Sequence, residues 1–101
     1  MRVEWTQLAQ DRVFDIAAYI SQDSFTEAEK WVGRIFDYVQ RLEMFPESGR
    51  NIPELSGRKE IRELIFGNYR IIYRIEQDIS YILTVRNYKQ ILPINEIVKD
   101  S

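Results

Sequence analysis

The sequence predicts an α+β domain in the order β-α-α-β-β-β, and three observations predict it. The chain opens on a short alternating segment and continues with two amphipathic stretches joined by a helix-capping pattern. It then gives three alternating segments separated by tight turns. The expected architecture is an N-terminal strand and a helical hairpin packed on a mainly antiparallel four-stranded sheet, with a short C-terminal helix as an optional last element. At 101 residues there is room for a single core, so residues 1–101 form one domain.

Val3 and Trp5 alternate with Arg2 and Glu4 in the first strand. Thr6 suits the cap of the helix that follows, from Gln7 to about Gln22. Its apolar residues Ala9, Val13, Ile16, Ala17 and Ile20 fall on one face. Ser24-Phe25-Thr26-Glu27 is a capping box, in which the serine covers an orphan amide while the glutamate reaches back. The second helix runs to about Glu43, with Trp31, Val32, Ile35, Phe36, Val39 and Leu42 on a stripe that covers the sheet. The short joint between the two makes an antiparallel hairpin. Phe45-Pro46 stops the second helix, since proline and the residue before it both disfavour its continuation. Pro53, Gly49, Ser56 and Gly57 mark Glu47 to Arg58 as a surface loop, read as a connector.

Three strands follow: Lys59–Phe66, Tyr69–Glu76 and Ile79–Tyr88, rich in β-branched and aromatic residues. Gly67-Asn68 is a two-residue turn that pairs Phe66 with Tyr69, Leu64 with Ile71 and Arg62 with Tyr73. For the next turn, a two-residue loop pairs Arg70 with Val85 and forces arginines into an apolar face. A three-residue loop, Glu76-Gln77-Asp78, pairs Ile75 with Ile79 and Arg70 with Thr84, and keeps the faces clean. The three-residue loop is therefore the expectation. It sets Ile79, Tyr81, Leu83 and Val85 on the helix side and Ile82, Thr84, Arg86 and Tyr88 on the other.

On that other face Arg70, Arg74, Arg86 and Tyr88 form a surface for anions or for an acidic partner. Glu63 lies opposite Ile72, diagonal to Arg70 and Arg74. It is either the neutralising member of an ion-pair network or an acid/base group. After Lys89, Pro93 suits the first turn of a helix with Ile94, Ile97 and Val98 on one sticky side. The sequence leaves three fates open for this tail: folded back, loose, or part of a partner's seat.

The absence of cysteine excludes disulfides and thiolate metal sites, and a reducing cytoplasm is the expected home. The absence of histidine excludes imidazole acid/base chemistry and leaves carboxylates as the only plausible metal ligands. No cofactor or metal is expected, since no phosphate-binding glycine motif and no nucleophile–base pair is present. No apolar run approaches the roughly 18 residues of a membrane span. A net charge of −2 argues against a broad electrostatic grip on nucleic acid.

Several stretches, in this order, resemble the RelE/ParE family of bacterial type II toxins. Ile16-Ala17-Ala18-Tyr19-Ile20 is similar to its first-helix signature, and Leu42 to Arg50 to its "L…P…GR" segment. Arg62-Glu63-Leu64 and Asn68 to Arg74 resemble its "REL…YRIIYR" core, and Ile82 to Arg86 its last strand. The likeness covers nearly the whole chain.

The resemblance implies a toxin silenced by an antitoxin that wraps an extended or helical segment around it. In the ParE-like branch the target is DNA gyrase, with no nuclease chemistry. In the RelE-like branch it is mRNA in the ribosomal A site, cut without a metal. For the second case the resemblance implies Arg70, Arg86, Tyr88 and Glu63 as catalytic candidates. For antitoxin binding the arginine-lined face offers Arg70, Ile72, Arg74, Ile82, Arg86, Tyr88 and Lys89, where an acidic and apolar segment satisfies the arginines and covers the isoleucines. The acidic pI and the lack of an obvious base favour gyrase. A third expectation is a non-toxic binding module of the same fold.

Overall fold

A computed structural model describes residues 1–98; residues 99–101, the end of the tail, lie outside it. Strand β1 (Arg2–Trp5) leads into helices α1 (Gln7–Ser21) and α2 (Phe25–Val39), and a 3-10 turn over Gln40–Glu43 prolongs the second. Strands β2 (Arg50–Asn51), β3 (Ile61–Phe66), β4 (Tyr69–Glu76) and β5 (Ile79–Asn87) complete one sheet in the order β1-β5-β4-β3-β2. The expected α+β order holds. The sheet has five strands, not four, because Arg50 and Asn51 in the expected connector pair with Glu63 and Arg62. Two residues are too short to show an alternating pattern, so nothing in the sequence marked them as a strand.

Local chemistry fixes the helix ends. Thr6 Oγ1 accepts from the Ala9 amide at 3.1 Å, the expected cap, and donates to the Ile82 carbonyl at 2.8 Å. That second bond ties the start of α1 to β5. Ser24 Oγ accepts from the Glu27 amide at 3.2 Å, while the Ser24 amide bonds the Ile20 carbonyl, so the capping box is made in one direction only.

The helical hairpin closes one face of the sheet. Ala9, Val13, Trp31, Ile35, Val39 and Leu42 pack on Leu64, Ile71, Tyr73, Ile82 and Val85, all buried. Trp5 meets Phe36 with ring centroids 4.4 Å apart, and Trp31 meets Tyr69 edge-on at 5.2 Å. The Tyr73 hydroxyl runs out at the edge of this layer, donating to the Pro46 carbonyl at 2.7 Å and accepting from the Gly49 amide at 3.0 Å. Those two bonds pin the chain after α2 against the sheet. A side chain at Gly49 has no room, because a Cβ there falls 2.5 Å from the Tyr73 hydroxyl.

The β3–β4 register is the expected one, with Gly67 at φ +58° in the turn. The β4–β5 register is not. The turn has two residues, Gln77 and Asp78, with Gln77 at φ 55°, and it pairs Glu76 with Ile79 and Arg74 with Tyr81. A bulge then skips Leu83, so Ile72 pairs with Thr84, Ile71 with Val85 and Arg70 with Arg86. This overturns the expected three-residue loop. Unbroken alternation requires that loop, whereas one extra residue in β5 restores the clean faces after a tight turn. Ile82 consequently lies in the helix-side core and Leu83 on the outer side, the reverse of expectation.

Candidate functional site

The outer face of the sheet carries a second, smaller apolar cluster of Ile52, Ile61, Ile72, Leu83, Leu92 and Ile97. Two segments with no strand of their own supply its cover. Ile52-Pro53-Glu54-Leu55 folds as one 3-10 turn, and Leu92 to Ile97 folds back over β5 around another at Ile94–Glu96. The tail is therefore folded back, with a 3-10 turn where a short helix was the option. Each segment is proline-led, buries apolar residues in the cluster, and delivers one glutamate to one sheet arginine.

The need for those glutamates follows from the bulge. It sets Arg70 directly opposite Arg86, a like-charge pair that destabilises a sheet unless it is neutralised. Arg70 is 8% exposed. Its Nε donates to Glu63 at 2.5 Å, while Nη1 and Nη2 donate to Glu54 at 2.8 and 3.0 Å. Glu63, itself buried, accepts from Arg50 Nε with its other oxygen at 2.7 Å. The bidentate bonds it donates to Glu54, with the one to Glu63, hold the Arg70 guanidinium above its already high ordinary range. In turn Arg70 holds the Glu54 carboxyl below its own.

Arg86 finds its counter-charge in Glu96, which also accepts from Arg12 Nη2 at 2.7 Å and from Thr84 Oγ1 at 2.9 Å. Burial alone raises a carboxyl, yet the bonds from Arg12, Thr84 and Arg86 outweigh it and hold Glu96 at about 2. Arg74 pairs with Glu76 at 3.1 Å and lies 5.7 Å over the Tyr81 ring. Tyr88 is exposed, with Lys89 Nζ 5.8 Å from its ring centroid.

The residues singled out from sequence thus divide. Arg70, Arg74 and Arg86 share the outer face, and Glu63 sits among them as the centre of an ion-pair network. Ile72 is on that face but fully buried beneath the second cluster, and Ile82 is on the helix side. Glu54, Glu96, Arg12 and Arg50 escaped sequence reasoning. The available signal was weak: in both Ile52-Pro53-Glu54-Leu55 and Leu92-Pro93-Ile94-Asn95-Glu96-Ile97 a proline is followed within three residues by a glutamate that precedes an apolar residue. Among the described residues, no group of three or more carboxylates is arranged to hold a metal ion. Each Arg70 nitrogen already has a carboxylate acceptor, and both Glu63 oxygens are taken.

Residues 3–92 match the family model of the ParE toxin of type II toxin-antitoxin systems, parDE. The chain belongs to the ParE toxin family. A Sinorhizobium fredii protein described as "Putative toxin Y4kP" is 40% identical over 95 residues, covering 91% of this chain and 93% of that protein. Among solved structures, a chain of the chromosomal ParDE TA system from P. aeruginosa superposes with a TM-score of 0.71 at 22% identity, covering 86% of this chain and 95% of that one. At that identity the likeness speaks for the ParE fold.

Proposed function

We propose that this ParE-family toxin inhibits growth by acting on DNA gyrase, and that a cognate antitoxin silences it by docking on the outer sheet face. One observation carries the choice of a protein target over mRNA cleavage. The Arg70 guanidinium is saturated by Glu63 and Glu54, so the arginine that a nuclease needs for a developing phosphorane has no free fork to offer. Glu63, the carboxylate among the catalytic candidates, is held by two arginines. A protein target asks for no such machinery, and the net charge of −2 agrees with one. A gyrase target implies a cytoplasmic toxin.

For the antitoxin, Arg74, Arg86, Tyr88 and Lys89 supply the reachable part of the face. An acidic and apolar segment is the chemistry that complements it. Ile72 and Ile82 are not offered to a partner, being buried in the two clusters.

Induced expression without antitoxin should stall replication and break DNA, and purified toxin should impair supercoiling by gyrase while transcripts stay intact. Gyrase turning over normally at excess toxin, with translated mRNA cut at codon positions and rescued by Arg70→Ala, would reverse the target. Harmless expression would reduce the protein to a binding module. Arg74→Glu should slow antitoxin association at low salt, and an unchanged rate removes Arg74 from that interface.

A further inference from the structure

Strand β1 is the last strand of the sheet on its side, paired with β5 alone and followed at Gln7 by α1. The Arg2 amide donates to the Asp78 carbonyl at 3.0 Å and the Thr6 amide to the Ile82 carbonyl at 3.1 Å, so even-numbered residues turn their backbone groups to β5. By strand alternation the N–H and C=O of Val3 and the N–H of Trp5 turn outward, and none of them has a partner among the described residues. The Trp5 carbonyl already accepts from Gln10 Nε2 at 3.2 Å. Side chains alternate as well. Val3 and Trp5 pack towards the helix-side core, which leaves Arg2 and Glu4, salt-bridged to each other, on the outer face.

An edge with open backbone groups is a template for another strand unless something blocks it. β1 carries no proline, no bulge and no run of like charge. Its two charges are opposite in sign and two residues apart, an arrangement that complements itself when the strand meets its own copy antiparallel. Outward-facing residues must meet outward-facing residues, so the two-fold centre falls on one residue of the strand. A centre at Arg2 or at Glu4 sets like charges face to face, which is destabilising. A centre at Trp5 drives Gln7, the start of α1, against Val3. The centre at Val3 has neither fault. There the two Val3 residues exchange both backbone bonds, and each Trp5 amide donates to the Met1 carbonyl of the other copy. Arg2 of each copy stands opposite Glu4 of the other in a non-hydrogen-bonded pair, where side chains approach most closely.

The same register fills a hollow. A cleft of about 240 Å³ runs beside β1, lined by Val3, Trp5, Phe36, Val39, Gln40 and Glu43. Met1 is exposed and alternates with Val3 and Trp5, so pairing sets it opposite the other copy's Trp5, at the mouth of that cleft. We propose that β1 is a self-recognition edge, through which two copies of this chain join antiparallel about Val3 into one continuous sheet. The occupant is a second copy and the contacts are those of β1, so the inference stands apart from the gyrase and antitoxin readings.

The test is sedimentation equilibrium of the purified full chain from micromolar to high-micromolar concentration, where a reversible monomer–dimer equilibrium is expected. Glu4→Arg and Arg2→Glu each place like charges opposite one another in both cross-strand pairs, and each should weaken self-association by about tenfold or more. Mixing the two variants restores opposite charges in both pairs, so the mixed dimer should form about as readily as that of the unaltered chain. A change in folding alone gives no such rescue. Val3→Pro removes the outward amide and spares the bonds to β5, and should give a monomer with an unchanged circular dichroism spectrum. Phe25→Ala, exposed on α2, should change nothing. An unaltered chain that stays monomeric throughout, a dimer indifferent to Glu4→Arg, Arg2→Glu and Val3→Pro, or no restoration on mixing would each overturn the proposal. So would Val3 and Trp5 amides that exchange freely in the chain alone and gain protection only with antitoxin, which would give the edge to the antitoxin.

Discussion

The two faces of this sheet are closed by different means. The helix side is covered by two long helices whose apolar stripes meet Ile71, Tyr73, Ile82 and Val85 over a broad, almost purely carbon interface. The outer side is covered by two 3-10 turns, and ion pairs help to hold it: Glu54 on Arg70, Glu96 on Arg86 and Arg12, Glu63 between Arg50 and Arg70. Helices distribute burial over many residues, so no single contact decides whether the face is shut. A turn concentrates it in one glutamate and one or two apolar side chains. The outer cover can therefore open locally while the main core stands, as parts of low local stability do.

The contrast predicts unequal costs for equal deletions. Ile71→Ala leaves a cavity under the helices that packed neighbours cannot fill, and should destabilise by about 4 kcal/mol. Ile97→Ala removes a residue just as buried, but from a tail that can shift or peel away, and should cost about 2 kcal/mol. Urea midpoints at constant m-value measure both. Equal losses would mean that the tail is as integral to the fold as the helices.

The same contrast sets what was legible in the sequence. The helix side could be read because periodicity is a long-range average: Ala9, Val13, Trp31 and Ile35 announce a stripe whatever any one neighbour does. The Gly67 turn could be read because glycine advertises its backbone. The β4–β5 register could not, because a bulge at Leu83 leaves no mark in composition and reverses the parity on which the argument rested. That one displaced residue moved Ile82 from a partner-binding candidate to the core. Arg70, Arg74, Arg86 and Glu63 were placed together from sequence, since β4 alternates cleanly and Arg86 lies beyond the bulge. Glu54 and Glu96 were not. Their positions depend on how a loop and a tail fold back, which no local pattern encodes.

Acid should act on the outer face first. Glu96 sits at about 2, below an ordinary carboxyl value of 4.5, so its folded-state value is depressed. A depressed group contributes stability that is complete above 4.5 and is lost as the pH falls towards 2. The gap between 4.5 and about 2 corresponds to about 3 kcal/mol. Glu96→Gln should flatten the dependence of stability on pH across that window, leaving a residual slope to Glu54, depressed in the same direction by Arg70, and to Glu60, depressed by a backbone hydrogen bond and by Arg58. A slope unchanged in Glu96→Gln would deny that the tail carboxylate is what holds Arg86 and Arg12 together.

The smallest effect tests whether the two faces are separate at all. Tyr73 is buried on the helix side, yet its hydroxyl serves Pro46 and Gly49, the residues that lead into β2 and hence to Arg50 on the outer network. Burial holds that phenol above its ordinary range, so it stays protonated and can donate to Pro46. Tyr73→Phe keeps the ring and leaves the Gly49 N–H and Pro46 carbonyl without this partner, and should cost about 1.5 kcal/mol. If the hydroxyl also positions β2, part of that loss is the weakened grip of Arg50 on Glu63. A double-mutant cycle of Tyr73→Phe with Arg50→Ala should then show a coupling of about 0.5 kcal/mol or more. Strict additivity would make the hydroxyl a local staple and the two closures independent; coupling would make Tyr73 the joint through which a loosened outer face is felt beneath the helices.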